Sequence, residues 1–166
     1  KGKVILTRTG IVRRGDSAWP LTITKTITLK PDASSFEIGY DLTQTGSSHL
    51  RALFGVEFAA NLLSGTAFDR YYRSDDRDLH YTKLGEIGCD EALHHIAMRD
   101  DWMRVECGFR IPGAARVYRF PIETVSQSEN GQERVYQGSV IVPCWWVDCS
   151  PGQTVSCRIT SEIVAL

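Results

Sequence analysis

The chain has 166 residues, a length that supports one complete hydrophobic core but not two ordinary domains with a linker. Hydrophobic residues make up 42% and charged residues 23%, and the formal net charge is −1, a balance that gives no attraction to nucleic acid or anionic membranes. No window holds the roughly 18 apolar residues that a membrane-spanning helix needs. We therefore expect one globular domain over residues 1–166, with neither nucleic acid nor a membrane as partner.

The start of the chain and its cysteines give expectations about its origin. Lys1 is not Met, and no signal-peptide apolar region follows it, so we expect a processed or excised piece. The five cysteines form neither a CxxC pair nor another zinc-ligand spacing, and their number is odd. They predict free thiols in a reducing compartment, with the cytoplasm as the location and no metal or other cofactor. For a secreted chain, a disulfide between two of the last three cysteines stays open.

The first part of the chain alternates with a period of two residues, which is typical of β-strands. Apolar side chains alternate with threonine and lysine over residues 21–30, and the β-branched content favours a strand. The pattern repeats over residues 36–42, after a turn at Lys30-Pro31-Asp32, and again over residues 54–60. These segments predict strands two to four of an antiparallel meander.

Residues 63–91 lose this periodicity in a charged, tyrosine-rich run, which we interpret as an excursion over the surface. Alternation then returns from residue 95 to the end of the chain. About nine or ten strands separated by turn signals predict an all-β fold, an antiparallel two-sheet sandwich. The residues expected to be mostly buried are Ile23, Ile27, Phe36, Ile38, Val56, Phe58, Val105, Val140, Ile159 and Ile163.

The clearest turn signal is Asn130-Gly131, between two strand-like runs over residues 117–147. A two-residue type I′ turn there fixes the register of a β-hairpin. Both faces of this hairpin carry apolar residues, which predicts a ribbon that is covered on each side. The predicted pairs are Glu129 with Gln132, Gln127 with Arg134, Glu123 with Gly138 and Phe120 with Ile141.

Two groups of polar residues resemble metal sites at first sight. The acidic run that ends at His80 lacks the central Gly and distal Glu of a calcium loop, which favours a solvated acidic turn. His94 and His95 are neighbours, so on a strand their rings point to opposite faces and cannot share a metal. We also find no Ser-His-Asp set, P-loop or dinucleotide fingerprint. No catalytic or metal-binding residue is therefore assigned.

Two glutamates and four tryptophans are candidates for contact with a partner or a sugar. Glu57 lies between apolar residues of a strand and must face solvent, a partner group or a ligand, because burying its charge alone is costly. Glu123 poses the same question. Trp145 and Trp146 are adjacent and must point to opposite faces, so one is expected in the core and the other free for contact. Trp102 is the further aromatic candidate. Core or interdomain packing and stacking under a sugar ring are the alternatives for these rings.

The sequence resembles a known family in several places. Residues 54–58 read FGVEF, Asp101 precedes Trp102, and residues 123–129 and 135–139 read ETVSQSE and VYQGS. From about Leu21 to its end, the chain is similar to the C-terminal domain of glycoside hydrolase family 57 enzymes, which are 4-α-glucanotransferases and α-amylases. The resemblance implies a β-supersandwich similar to the galactose mutarotase fold.

For function, the resemblance implies a non-catalytic C-terminal accessory domain of an α-glucan-processing enzyme. In that family the catalytic Glu and Asp lie on a separate N-terminal barrel, which is absent here, so the isolated chain is expected to be inactive. The expected partner is that catalytic barrel of the same polypeptide, and an α-glucan is a candidate ligand. The candidate contact residues are Glu57, Glu123, Gln127, Glu129, Trp102, Trp145 and Trp146.

A second hypothesis is an aldose epimerase-like enzyme, because the implied fold is similar to mutarotase. Such chemistry needs a His and a Glu that converge in one pocket. Glu57, Glu123, His94 and His95 are available, but nothing in their spacing brings them together.

Overall fold

The computed structural model describes residues 2–29, 31, 33–128 and 131–166, with the side chain of Ser128 excepted. Within these ranges the chain forms twelve strands and no helix, so no helix there could span a membrane. The strands are β1 (Gly2–Arg14), β2 (Ser17–Leu29), β3 (Ser35–Gln44), β4 (Leu50–Gly55), β5 (Phe58–Ala60), β6 (Arg70–Arg73), β7 (Gly88–Glu91), β8 (His95–Asp100), β9 (Val105–Arg110), β10 (Arg116–Ser128), β11 (Gly131–Cys149) and β12 (Thr154–Ala165).

The strands form two antiparallel sheets. The first has seven strands in the order β1-β2-β3-β12-β9-β8-β6, and the second has five in the order β4-β11-β10-β7 together with β5, which pairs with β11. This arrangement confirms the predicted all-β, two-sheet antiparallel sandwich. Two strands more than predicted, β6 and β7, lie within residues 63–91, which the sequence had indicated as irregular.

The predicted meander is correct only through its third strand. β1, β2 and β3 are neighbours, but β4 belongs to the other sheet. The crossing is fixed by Gln44, whose buried side-chain amide donates to the carbonyl of Ser48 at 2.5 Å, and by Trp19, whose indole N–H donates to the carbonyl of His49 at 2.9 Å. These two bonds anchor the carbonyls of Ser48 and His49 in the exposed loop by which the chain leaves the first sheet.

The hydrophobic core lies between the two sheets. Ile38, Val56, Val140 and Ile159 are buried as predicted, with at most 7% of their surface exposed, although Val140 lies on the other face of its strand and outside the core cluster. Four other predicted core residues are partly buried and pack against the core, namely Ile23, Ile27, Phe36 and Phe58, and Val105 is also half-buried. The prediction was wrong for Ile163, which is 52% exposed. It lies near the end of β12, beyond the residues of that strand that reach the core cluster.

The predicted register of the β10–β11 hairpin was wrong. Gln127 pairs with Gln132 instead of Arg134, a difference of two residues, and Phe120 pairs with Val140, a difference of one from the predicted Ile141. The difference between predicted and observed pairing falls from two residues to one because a β-bulge lies between Ile122 and Glu123. Gly131 is the first residue of β11, with φ of 114°, whereas the predicted turn residue Asn130 and the predicted pairing of Glu129 lie outside the described residues.

Candidate interdomain contact surface

The outer face of the five-stranded sheet carries several large apolar side chains that stay exposed in the described chain, although Val140 and Cys144 on the same face are buried. Ile141, Trp145 and Val147 of β11 belong to the core between the sheets, so the residues that alternate with them face away from it. On that outer face Trp146 lies opposite Leu53, and Phe120 lies opposite Val140. We call Leu53, Phe120, Ile122 and Trp146 the outer apolar strip; their exposed fractions are 36%, 37%, 41% and 53%.

Charged residues border the outer apolar strip at its Trp146 end. The Arg51 guanidinium lies 5.5 Å from the centre of the Trp146 ring, a cation–π contact. Asp148 contacts the His49 Nε2 at 2.9 Å. An apolar centre with a charged rim is the usual anatomy of a protein contact surface.

The two neighbouring tryptophans have opposite environments. Trp145 is only 5% exposed, and its indole N–H donates to the carbonyl of Pro112 at 3.0 Å. Trp146 is exposed on the outer face. This confirms that one ring packs in the core and the other is free, and it removes Trp145 from the candidate contact residues because its surface is already covered.

The tip of the β10–β11 hairpin adds polar and apolar side chains. The Glu123 carboxylate accepts a hydrogen bond from Arg134 at 3.0 Å, and Gln127 is exposed. Val125 and Val135 are 58% and 42% exposed. Glu129, predicted as a contact residue, lies outside the described part of the chain. Glu123, one of the predicted polar contact residues, is therefore already paired with Arg134 within the domain.

The remaining predicted contact residues lie elsewhere. Glu57 is exposed in the short gap between β4 and β5, so it faces solvent as the sequence allowed. Trp102 follows β8 in the seven-stranded sheet and is 72% exposed, with the Arg70 guanidinium 5.6 Å from its ring centre. Trp102 and Trp146 thus belong to different sheets rather than to one aromatic site.

The acidic run before His80 is part of a structured loop. The Asp76 carboxylate accepts hydrogen bonds from the backbone N–H groups of His94 at 2.5 Å and His95 at 3.0 Å. Partial burial would raise the pKa of Asp76, but these two hydrogen bonds outweigh it and lower the pKa. No group of three or more His, Cys, Asp or Glu side chains among the described residues has a metal-site arrangement.

The histidines and glutamates proposed for epimerase chemistry do not meet. His95 is buried on β8, where its Nδ1 accepts from the N–H of Asp75 at 3.0 Å, and His94 is exposed. Glu123 lies in the other sheet, paired with Arg134. In the described chain, neither histidine forms a hydrogen bond or ion pair with Glu57 or Glu123. The geometry therefore gives no support to the epimerase hypothesis.

The environment of His95 predicts a pH-dependent stability. Burial lowers the pKa of His95 below its ordinary 6.5, although the Asp75 carboxylate at 3.5 Å opposes this. Below pH 6.5 the unfolded chain binds a proton that the folded chain does not. We expect the free energy of unfolding to fall as the pH drops below this value, by at most about 1.4 kcal/mol per pH unit, in urea denaturation followed by tryptophan fluorescence.

Two single variants serve as controls for this prediction. His95→Asn keeps an acceptor near the Asp75 N–H but does not titrate, so the loss of stability should shrink. His94→Asn changes the exposed neighbour and should leave the pH profile as it is. An unchanged profile in His95→Asn would show that another group causes the dependence.

The sequence did not indicate a buried ion pair between the sheets. Arg119 is 1% exposed, and its Nε and Nη2 donate to the same Asp90 oxygen, Oδ2, at 3.1 and 2.6 Å. The guanidinium also lies 4.8 Å from the centre of the Tyr72 ring. The sequence could not have predicted this pair. Arg119 is a single charged residue in a strand and belongs to no motif, and Asp90 lies in the segment without a regular hydrophobic period.

Comparison with solved structures defines the class of the fold. The chain superposes with a TM-score of 0.70 on a putative aldose 1-epimerase from Escherichia coli K12, at 9% identity, covering 99% of this chain and 66% of that one. A galactose mutarotase-like protein from Lactobacillus casei gives a TM-score of 0.63 at 10% identity, covering 98% of this chain and 70% of that one. At these identities the likeness shows the fold alone, a sandwich of the galactose mutarotase kind.

Sequence comparison then gives the family. Residues 1–159 match the family model described as alpha-amylase/4-alpha-glucanotransferase, C-terminal, and the chain belongs to that family. It is 31% identical over 130 residues to alpha-amylase 1 of Dictyoglomus thermophilum, covering 78% of this chain and 18% of that protein. The 4-alpha-glucanotransferase of Thermococcus litoralis superposes with a TM-score of 0.64 at 22% identity, covering 98% of this chain and 21% of that chain. The chain therefore spans about a fifth of these relatives.

Proposed function

We propose that this domain is a non-catalytic accessory domain of an α-glucan-processing enzyme, and that its outer apolar strip packs against the catalytic barrel of the same polypeptide. The observation that carries the proposal is the strip itself. Large apolar side chains on one sheet face normally pack against a second layer, and in the described chain these four stay 36–53% exposed. Relatives about five times as long, by the 18% and 21% coverage, have room for a domain that provides such a layer.

The size and composition of the strip suit a contact between domains. Four side chains from three adjacent strands form it, two of them aromatic, and charged residues border it at the Trp146 end. Aromatic residues are enriched in such surfaces, and interdomain contacts within a chain have the same anatomy as protein–protein interfaces.

The five free thiols of the chain support the cytoplasm as the proposed location, since thiols persist in reducing compartments.

The purified chain is expected to show no transferase or hydrolase activity on maltooligosaccharides. In the enzymes that it resembles the catalytic carboxylates lie on the barrel, and here the Glu123 carboxylate is paired with Arg134, while in the described chain neither His94 nor His95 forms a hydrogen bond or ion pair with Glu57 or Glu123. Product analysis by thin-layer chromatography or mass spectrometry, against a buffer blank, measures this directly.

The control is the parent polypeptide with its barrel, which should release products under the same conditions. Turnover by the isolated chain, abolished by Glu57→Gln or Glu123→Gln, would overturn the non-catalytic assignment.

A further inference from the structure

A groove lies at the β7 edge of the five-stranded sheet, next to the Phe120 side of the outer apolar strip. Tyr81 and Ile87 form its rim and are 67% and 74% exposed. Cys89 and Tyr118, which pair across β7 and β10, line it together with Asp90. Two tyrosines, an exposed isoleucine and a carboxylate therefore meet in one concave surface.

The floor of the groove is the buried Arg119–Asp90 pair. Gly88 lies directly over the guanidinium, because a Cβ on Gly88 would stand 2.5 Å from the Arg119 Nη2. Only glycine leaves the arginine room there. The guanidinium also contacts Asp90 on one side and the Tyr72 ring on another, and these contacts hold the floor of the groove in place.

The same arginine fixes the rim. Its Nη1 donates to the carbonyl of Tyr81 at 2.9 Å, and its Nη2 donates to the carbonyl of His80 at 3.1 Å. Tyr81 has a φ of 56°, a left-handed conformation that is unfavourable for a residue with a side chain. Such strain persists where the surroundings enforce it, and it concentrates at binding sites. Arg119 thus holds the backbone of Tyr81, and the ring projects from it mostly exposed.

Asp90 supplies the polar component. Both hydrogen bonds from Arg119 go to its Oδ2, and its Oδ1 receives no hydrogen bond from any described residue. The Asp90 carboxylate is ionised and uses only Oδ2 for Arg119, so its Oδ1 can still accept a strong hydrogen bond. A flat apolar ring beside a carboxylate acceptor matches a sugar, whose ring has an apolar face and a rim of hydroxyl donors.

We propose that this groove binds a short α-glucan, with one sugar ring on Tyr81 and a sugar hydroxyl donating to the Asp90 Oδ1. The choice of an α-glucan rests on the proposed function, whereas the site itself rests on the groove. The role of Arg119 is positioning: it orients Asp90 and holds the Tyr81 backbone.

The test is titration of the ¹⁵N-labelled chain with maltotriose, followed by amide chemical shifts. We expect shifts to concentrate at residues 80–90 and 118–119, and the dissociation constant to rise about tenfold or more in Tyr81→Ala. Tyr81→Gly also lacks the ring but suits a positive φ, so it keeps the fold and should lose binding equally. Tyr81→Phe keeps the ring and should bind within about twofold of the original chain.

The matched controls are Trp146→Ala and Trp102→Ala, which remove two exposed aromatic rings outside the groove and should leave binding unchanged. Loss of binding in these variants but not in Tyr81→Gly, or no maltotriose-induced shift in the original chain, would overturn the groove assignment. Neither result would affect the packing of the outer apolar strip, so failure here is distinct from failure of the proposed function.

Discussion

Replacing Asp90 by Ala is expected to lower the free energy of unfolding by about 3–5 kcal/mol, because it leaves the Arg119 charge buried without its partner. Arg119 is 1% exposed and cannot regain water without opening the sheet edge. Its remaining bonds go to the carbonyls of His80 and Tyr81, so the loop before β7 should loosen as well. Urea denaturation measures the first effect, and amide hydrogen exchange over residues 80–88 measures the second.

The matched control is the exposed ion pair between Glu123 of β10 and Arg134 of β11. Glu123→Ala breaks the contact to Arg134 at 3.0 Å, where the Arg134 side chain is 72% exposed and stays hydrated. Such surface pairs contribute about 1 kcal/mol or less. A loss in Asp90→Ala as small as in Glu123→Ala would mean that Arg119 is not dependent on its carboxylate partner.

The two adjacent tryptophans are expected to differ strongly in their effect on stability. Trp145→Ala should cost about 3–5 kcal/mol, because it opens a cavity in the core and leaves the Pro112 carbonyl without its donor. Trp146→Ala should cost less than about 1 kcal/mol in the isolated chain, since that ring is half exposed on the outer face, where it contacts the Arg51 guanidinium. Chemical denaturation of both variants, followed by far-ultraviolet circular dichroism, gives the comparison.

Equal losses in the two variants would contradict the assignment of inner and outer faces on β11. The same pair in the parent polypeptide extends the test. There Trp146→Ala should become costly, because the proposed partner layer would lose the aromatic residue that fills it.

The period-two pattern predicted the parts of the fold that depend on one strand at a time. It placed Ile38 and Ile159 in the core and Trp145 and Trp146 on opposite faces, because alternate residues of a strand must face opposite sides. The apolar residues on both faces of the β10–β11 hairpin were likewise visible in the sequence. They indicated a ribbon covered on each side, and in the structure Phe120 and Ile122 on one of these sides stay exposed in the described chain.

Features that depend on distant residues could not be read in the same way. The register of the hairpin failed because the bulge at Ile122/Glu123 leaves no periodic signal. β4 was assigned to the wrong sheet because its pattern does not say which strand it pairs with. The Arg119–Asp90 pair joins residues 29 positions apart, and only the tertiary fold reveals that both side chains are buried.

Hydroxyl-radical footprinting of the isolated chain and of the parent polypeptide tests most directly whether the outer apolar strip is an interdomain surface. Phe120 and Trp146 report on the strip, while Trp145 is covered in both forms and serves as the internal reference. The account predicts rapid oxidation of Phe120 and Trp146 in the isolated chain and several-fold slower oxidation in the parent polypeptide. Equal oxidation rates of these two residues in both forms would contradict it.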